Sequence, residues 1–241
     1  MEKISERVKN RECVIEIFGL GYVGFPLAVR LATNGFRVMG IDVNHDRVSR
    51  LEKNELLDSE ISLKDEFIKC REKNLTLSTE SSKNDLPKVG IICVPTPIPS
   101  PEISSDVYVK KAVESFLDNA KEGDCLILES SIEVGTTERM QAIIEDRGFK
   151  IGESLGLSFC PERIDPSNKE WGIENIPRVI YCSDDSTFEI SKEIYKNVNG
   201  GNLIRVEHPK IAEVVKSFEN AFRLVNISLV NELAILCDNE A

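Results

Sequence analysis

The feature that most constrains this chain is a glycine-rich segment between a strand pattern and a helix pattern. Residues 18–24 read Phe-Gly-Leu-Gly-Tyr-Val-Gly and follow the apolar run Val-Ile-Glu-Ile at 14–17. An amphipathic helix pattern comes next, and a second strand pattern over 36–41 ends at Asp42. The six-residue pattern G-x-G-x-x-G would be weak alone, but in this order of elements it is typical of a dinucleotide-binding βαβ unit.

Each glycine of the segment has a physical reason. Gly19 permits the tight turn, Gly21 lets a pyrophosphate approach the backbone, and Gly24 lets the helix pack closely on the sheet. The helix N-terminus offers N–H groups and the positive end of its dipole to an anion. Asp42, 23 residues after Gly19, has a carboxylate that can accept from both ribose hydroxyls and would repel a 2′-phosphate. The pattern therefore predicts NAD rather than NADP; the alternative is an ordinary glycine-rich turn in which Asp42 merely ends a strand.

Strand and helix patterns alternate along most of the chain. This alternation predicts an α/β fold with a Rossmann, doubly wound parallel sheet, followed from residue 209 by the start of a long helix. We expect the strands at 13–18, 36–41, 75–78, 89–94, 124–129, 155–160, 177–182 and 203–206. We expect the helices between them at 22–34, 44–55, 60–73, 106–120, 136–147 and 184–198.

Composition narrows the functional class. The net charge is −11 and no Lys/Arg-rich block stands out, which argues against nucleic acid or an anionic membrane as the main partner. The seven cysteines form no C-x-x-C and several lie in apolar strand patterns, as expected for a reducing compartment. The N-terminus has no signal-peptide core and no apolar stretch approaches 18 residues. These observations predict a cytoplasmic protein without a transmembrane helix.

Three loops are expected to meet at the carboxyl edge of the sheet, where open α/β sheets bind ligands. The Pro-rich stretch 95–101 leaves the strand at 89–94, and two hydroxyls, Ser130 and Ser131, follow the strand at 124–129. Thr136 or Thr137 is expected to cap the next helix, and capping alone would explain the threonines better than the serines. The strand at 155–160 leads into Pro-Glu-Arg-Ile-Asp-Pro at 161–166. Its carboxylates could serve as a base and its arginine could hold an anion, although a solvated charged loop explains the spacing equally well.

The long helix has an apolar stripe and a polar row. The stripe comprises Ile211, Val214, Val215, Phe218, Phe222, Val225 and Leu229, and continues through Leu233 and Leu236. Lys216, Asn220 and Arg223 fall within about 60° of one another on the opposite side. Such a row is usually a solvated face, although Asn disfavours helix interiors and so suggests a function here. The pattern reaches Ala241 without a C-cap, so we expect a natural continuation of the helix.

Together these motifs resemble the UDP-glucose/GDP-mannose dehydrogenase family, and most of all its UDP-N-acetylhexosamine 6-dehydrogenase branch. The resemblance covers residue 13 to 241. It rests on GLGYVG, Asp42, VPTP at 94–97, ESS-x₃-GTT, PERIDP, and K-x₃-E-N-x₂-R before NELA. It implies oxidation of the 6-hydroxyl of a nucleotide sugar to a carboxylate, using two NAD and an aldehyde-level intermediate held on a cysteine.

The resemblance also implies roles for individual residues. The glycine loop is expected to bind NAD together with Tyr22, Val23, Asp42, Arg47, Pro95, Thr96 and Ser131, where the family usually has Thr in place of Ser131. Glu162 would orient or activate the hydrolytic water, with Ser131 beside it. Lys216 would stabilise an alkoxide or transfer a proton, with Asn220 next to it. Arg163, Ile164 and Arg223, together with Glu162, Lys216 and Asn220, would line the site for a UDP-hexosamine.

One departure from the family matters for function. The family's nucleophilic cysteine lies in a glycine-rich segment beyond the long helix, before a nucleotide-binding domain, and neither occurs in these 241 residues. Cys160 stands where the family normally has Ser, and we interpret it as structural. We therefore expect a Rossmann domain over 1–208 and, over 209–241, the first helix of a truncated central domain that forms a homodimer. The alternatives are an NAD-binding module without turnover and a β-hydroxyacid dehydrogenase of related fold, against which PERIDP and Arg223 argue.

Overall fold

The computed structural model describes residues 2–81, 83–97, 105–162 and 177–240. Its centre is one eight-stranded sheet with the order β3-β2-β1-β4-β5-β6-β7-β8. The strands are β1 (Val14–Phe18), β2 (Arg37–Ile41), β3 (Leu75–Ser78), β4 (Lys88–Ile92), β5 (Cys125–Leu128), β6 (Gly156–Phe159), β7 (Arg178–Cys182) and β8 (Leu203–Val206). The Rossmann sheet that the sequence predicts is confirmed.

One pairing departs from the all-parallel prediction. β6 and β7 pair antiparallel, with Ser158 opposite Cys182 and Phe159 opposite Tyr181, whereas β7 and β8 pair parallel. Because β7 runs back beside β6, its first residue, Arg178, lies next to the end of β6. An antiparallel partner therefore brings a strand's N-terminus to the carboxyl edge of the first six strands.

Eight α-helices are found in the described part of the chain. They are α1 (Glu2–Lys9), α2 (Gly24–Thr33), α3 (His45–Glu52), α4 (Lys64–Arg71), α5 (Val107–Leu117), α6 (Thr136–Asp146), α7 (Asp185–Asn199) and α8 (Pro209–Glu240). The sequence did not predict α1. The helix expected over 60–73 is split, because a 3-10 helix at Asp58–Leu63 precedes α4.

Two hydrophobic cores cover opposite faces of the sheet. In β5, Cys125 and Ile127 belong to one core and Leu126 and Leu128 to the other. Alternate residues of a strand point to opposite faces, so the uninterrupted apolar run has a partner on each side. Helices α1, α2, α4 and α7 contribute to the first core, and α5, α6 and Ala212 of α8 to the second.

The capping prediction for α6 is wrong. The N-cap residue is Gly135, with φ at 91°, and neither Thr136 nor Thr137 caps the helix with its side chain. Instead the carboxylate of Glu213, from α8, accepts hydrogen bonds from the backbone N–H groups of Gly135 and Thr137. Sequence reasoning looks for caps in the adjoining residues, and this cap comes from 76 residues away.

Helix α8 packs on the sheet domain only through its first turns. Ala212 and Glu213 are buried and Val215 and Lys216 are half-buried, whereas most of the apolar stripe is exposed. The helix Pro209–Asn239 is long and apolar enough to cross a membrane. Its most apolar stretch has a mean hydropathy of 1.2, and none of that stretch is buried. Cores of soluble proteins pass the same test, so this finding alone does not place the helix in a membrane.

Candidate functional site

The glycine loop has the geometry that a dinucleotide requires. Gly19 adopts φ of +91°, and a Cβ there would lie 2.8 Å from the carbonyl oxygen of Cys93. A Cβ on Gly24 would lie 1.9 Å from the carbonyl oxygen of Gly19. A Cβ on Gly21 would meet nothing within 4 Å. The first and third glycines are therefore required by packing, and the second faces open space at the N-terminus of α2, where a pyrophosphate fits.

Asp42 is held against this loop. Its Oδ2 accepts from the backbone N–H of Leu20 at 2.8 Å, and its Oδ1 accepts from that of Asn44 at 2.9 Å. Asn44 in turn caps α3 by accepting from Asp46 and Arg47. Each carboxylate oxygen has a further lone pair, so Asp42 can accept ribose hydroxyls while remaining in place.

Arg47 is bound within the protein. Its Nε donates to the carbonyl of Leu20 at 2.9 Å, and its two terminal nitrogens bind both oxygens of Glu60 at 3.1 and 2.5 Å. Glu60 is buried and also accepts from the N–H of Leu57. The guanidinium thus connects the glycine loop to the 3-10 helix. The expected contact between Arg47 and NAD stays a prediction.

The remaining cofactor candidates lie around the open carboxyl edge. Tyr22 is exposed, as are Pro95 and Ser131, whereas Val23 and Thr96 are half-buried. Ser130 is buried and its hydroxyl donates to the carbonyls of Ile92 and Val94, at 3.2 and 2.7 Å. Of the two serines, therefore, Ser130 joins the ends of β4 and β5 and Ser131 is open to a ligand.

A buried cluster of charges lies at the ends of β5, β6 and β7. Arg178 donates through Nη1 to Glu129 Oε1 at 2.5 Å and through Nη2 to Glu162 Oε2. The hydroxyl of Tyr195 donates to the other oxygen of Glu129 at 3.2 Å, and its ring lies 5.0 Å from the guanidinium. The Arg178 side chain is 3% exposed, and this one buried guanidinium forms ion pairs with two carboxylates.

Burial dominates the acid–base properties of this cluster. It raises the pKa of the Glu129 carboxyl from its ordinary value of 4.5 to about 7; Arg178 opposes the rise and the negative charge of Glu162 adds to it. Burial, together with the two neighbouring carboxylates, also raises the pKa of the Cys93 thiol. Burial likewise raises the pKa of Cys160, so neither thiol is activated as a nucleophile.

Helix α8 brings one of its three candidates to this cluster. The Lys216 Nζ donates to the backbone carbonyl oxygen of Glu162, so the solvated-face interpretation is wrong for Lys216. Asn220 and Arg223 lie one and two turns further along α8 and are exposed. Arg163 and Ile164 lie outside the described residues.

Sequence reasoning missed Arg178, Tyr195 and Glu60. Arg178 begins a strand and Tyr195 lies within an amphipathic helix, positions where neither residue type suggests a site. The signal that could have revealed Arg178 is its position before the apolar run 179–182, where a buried arginine needs an acidic partner. Nothing in the sequence indicates that this partner would be Glu129.

A Rossmann sheet, a glycine loop with Asp42 at its side and an open carboxyl edge beside them define a dinucleotide-binding domain. The model of the UDP-glucose/GDP-mannose dehydrogenase family NAD binding domain matches residues 13–199, and that of the family's central domain matches 210–240. The chain belongs to this family and contains its NAD-binding domain.

Individual relatives agree with the family match. The chain is 34% identical, over 97% of its length, to UDP-N-acetyl-D-mannosamine dehydrogenase of Methanococcus aeolicus. It is 32% identical, over 94% of its length, to UDP-N-acetyl-D-glucosamine 6-dehydrogenase of Pseudomonas aeruginosa. It covers 52% of the first relative and 53% of the second, so it spans about half the length of the curated relatives it matches.

A solved structure shows the same architecture. UDP-N-acetyl-mannosamine dehydrogenase from Staphylococcus aureus aligns with a TM-score of 0.80 at 31% identity. The alignment covers 94% of this chain and 55% of that one. The fold is thus that of the N-terminal part of a dehydrogenase of this family.

We predict that the second and third glycines of the loop respond differently to alanine. Gly21→Ala should fold normally and weaken NAD binding by about tenfold or more, because its methyl group would occupy the space of the pyrophosphate. Gly24→Ala should lower the free energy of unfolding, because its Cβ cannot fit beside the Gly19 carbonyl. Calorimetric titration with NAD and urea unfolding measure the two effects. Unchanged NAD affinity in folded Gly21→Ala would contradict the proposed path of the cofactor.

We also predict a pH signature of Glu129. The folded state keeps a proton on Glu129 up to about pH 7, whereas an unfolded glutamate releases it near 4.5. The folded state thus binds the extra proton in this window, and Glu129 makes stability fall as the pH rises from 4.5 to 7. Glu129→Gln should remove this decline, whereas Glu153→Gln, at an exposed position, should not. Urea unfolding at a series of pH values tests this; parallel curves for wild type and Glu129→Gln would refute it.

Proposed function

We propose that this chain supplies the NAD-binding half of a nucleotide-sugar 6-dehydrogenase, which oxidises a UDP-N-acetylhexosamine to its uronic acid in a four-electron reaction. The observation that carries the proposal is the meeting of Lys216 and Glu162 at the carboxyl edge, beside the loops that would hold NAD. Residues from α8 and from the end of β6 are far apart in sequence, and their meeting creates a site between the two matched family domains.

The chemistry follows from the charges at this edge. NAD held by the glycine loop and Asp42 would supply the acceptor for a hydride from the sugar carbon. The Lys216 ammonium stabilises negative charge on the reacting hydroxyl oxygen or takes part in its proton transfer, with Asn220 beside it. Glu162, whose carboxylate is oriented by Arg178, orients or activates the water of the second oxidation, with the Ser131 hydroxyl nearby.

The sugar nucleotide would be recognised by the residues flanking this pair. By resemblance to the family, Arg163, Ile164 and Arg223 line its site together with Glu162, Lys216 and Asn220. An arginine suits a phosphate or carboxylate because its donors match two oxygens at once. The names of the relatives, mannosamine and glucosamine dehydrogenases, support an N-acetylhexosamine over other sugars.

A second candidate function is NAD binding without turnover. Cys93 and Cys160 lie at the carboxyl edge, but burial keeps both thiols protonated, and the exposed Cys237 lies at the distal end of α8. This arrangement favours the binding module for the 241 residues on their own. Family membership favours both the nucleotide-sugar dehydrogenase and the NAD-binding module over a β-hydroxyacid dehydrogenase.

We place the domain boundary between 208 and 209, and we propose a homodimer through 209–241, because the α8 stripe exposes large apolar side chains such as Phe218 and Phe222. We also propose a cytoplasmic location, without membrane or nucleic-acid partners. The acidic charge and the thiols packed in the core support it.

We predict a clear preference for NAD over NADP. The Asp42 carboxylate beside the glycine loop would accept from the ribose hydroxyls and repel a 2′-phosphate. Asp42→Ala should weaken NAD binding by about 1–3 kcal/mol and reduce the discrimination between the cofactors. Calorimetry with both cofactors decides; equal or tighter binding of NADP to the wild type would overturn the assignment.

We predict that the protein self-associates through α8. Sedimentation velocity at micromolar concentration should show a dimer or larger species. Glu substitutions at Phe218 and Phe222 should yield monomers, because they place charge on the apolar stripe. A wild-type monomer with an ordered α8 would count against the proposal.

The activity itself provides the last test. We expect the 241-residue chain alone to bind NAD without sustained turnover of a UDP-hexosamine, since burial raises the pKa of the two thiols at the carboxyl edge, Cys93 and Cys160, and so disfavours their attack on the aldehyde-level intermediate. A longer protein that contains these 241 residues together with the family's cysteine segment should release two NADH per sugar. The Lys216→Met substitution in that protein should abolish this release. NADH absorbance with several UDP-hexosamines measures both. Two NADH per sugar from the 241 residues would show that the nucleophile is misjudged, and a longer protein inert towards every UDP-hexosamine would refute the proposed function.

A further inference from the structure

Glu213 connects the two elements that carry the candidate groups. Ser131 lies in the loop between β5 and α6, and Lys216 lies on α8, 85 residues later. The Glu213 carboxylate accepts from the Gly135 N–H at 2.6 Å, from the Thr137 N–H at 2.8 Å and from the Thr137 hydroxyl at 2.7 Å. A single side chain of α8 is thus bound three times by the start of α6.

The environment strengthens these three hydrogen bonds from Gly135 and Thr137 to Glu213, which we call the Glu213 tie. Glu213 and Thr137 are both fully buried, so their hydrogen bonds are shielded from water. A carboxylate at a helix N-terminus faces the positive end of the helix dipole, and a charged acceptor strengthens each hydrogen bond. Gly135 has no side chain to cap α6, so Glu213 satisfies donors that would otherwise be buried without a partner.

The tie also fixes the orientation of α8. Lys216 follows Glu213 by three residues, which places the two side chains about 60° apart on the helix surface. With Glu213 held at α6, that face of α8 turns toward the sheet, and Lys216 reaches the carbonyl of Glu162. An ion pair between Lys210 and Glu138, at 2.7 Å, also joins α8 to α6, but it lies at the exposed surface and adds little rigidity.

We propose that Glu213 is a positioning residue, whose carboxylate couples the Ser131 loop to α8 and thereby sets the place of the Lys216 ammonium in the site. The coupling runs in both directions, because a shift of the loop at 130–135 would move the first turns of α8. The inference rests on the proposed function only for the roles of Lys216 and Ser131. The position of Lys216 can be measured without any turnover.

The test compares three variants of the chain. Glu213→Gln keeps the shape but places an NH₂ group against N–H donors. Thr137→Val removes one of the three hydrogen bonds from the other side. Glu232→Gln changes an exposed glutamate of the same helix and serves as the matched control. Amide exchange at Gly135 and Thr137 reports on the tie, and acylation of Lys216, quantified by peptide mass spectrometry against the exposed Lys110, reports on the ammonium.

In Glu213→Gln we expect amide exchange at Gly135 and Thr137 to accelerate by about tenfold or more. Acylation of Lys216 should rise several-fold relative to Lys110, because opening of the contact exposes the amine. Thr137→Val should give smaller changes of the same sign, and Glu232→Gln should match the wild type.

Faster amide exchange with unchanged acylation of Lys216, in either Glu213→Gln or Thr137→Val, would reduce Glu213 to a local cap and overturn the proposal. Unchanged exchange in folded Glu213→Gln would overturn the tie itself. If Glu213→Gln does not fold, Thr137→Val decides by the same two readouts. A longer protein without dehydrogenase activity would refute the proposed function. The amide-exchange and acylation results would still decide whether Glu213 positions Lys216, because neither measurement requires turnover.

Discussion

A buried guanidinium between two carboxylates holds the candidate site together. Arg178 binds Glu129 at the end of β5 and Glu162 beyond the end of β6, and the ring of Tyr195 covers it. An isolated charge at this depth would be strongly destabilising, so each member of the cluster constrains the others. Burial, with a smaller contribution from the negative charge of Glu162, raises the pKa of Glu129 to about 7, so this carboxyl retains a proton toward neutral pH. The orientation of Glu162, and through its carbonyl that of Lys216, depends on this arrangement.

The cofactor half of the site is built on a different principle. There the backbone determines the shape, since Gly19 and Gly24 permit contacts that a Cβ would prevent. Asp42 and Arg47 both bind the backbone of Leu20, so the loop is fixed from two sides. A pre-formed loop of this kind reduces the loss of conformational entropy that accompanies cofactor binding.

Helix α8 has an anchored beginning and an exposed remainder. Its first turns are anchored by Glu213 and Lys216, and its remaining turns present an exposed apolar surface. The family's central domain matches this helix, and the chain spans about half the length of its relatives. An exposed apolar helix face is typical of a surface that packs against another apolar surface. In the described residues, the candidate site is therefore formed by the edge of the sheet together with the first turns of α8.

The sequence by itself determined the order of strands and helices, the glycine loop and the class of cofactor. These depend on local patterns: alternating strand and helix periodicities, and glycines at fixed spacing before a helix. The resemblance also indicated Lys216 and Glu162, which the structure brings together. Their chemical roles remain predictions.

Only the tertiary structure decided how distant residues combine. The antiparallel direction of β7 carries Arg178 to the ligand edge, and no local pattern encodes strand direction. The cap of α6 by Glu213 and the pairing of buried Lys88 with Glu16 of β1, at 3.5 Å, join residues far apart in sequence. Such pairs depend on how the sheet and its helices are stacked, because a buried charge takes whichever partner the packing places beside it.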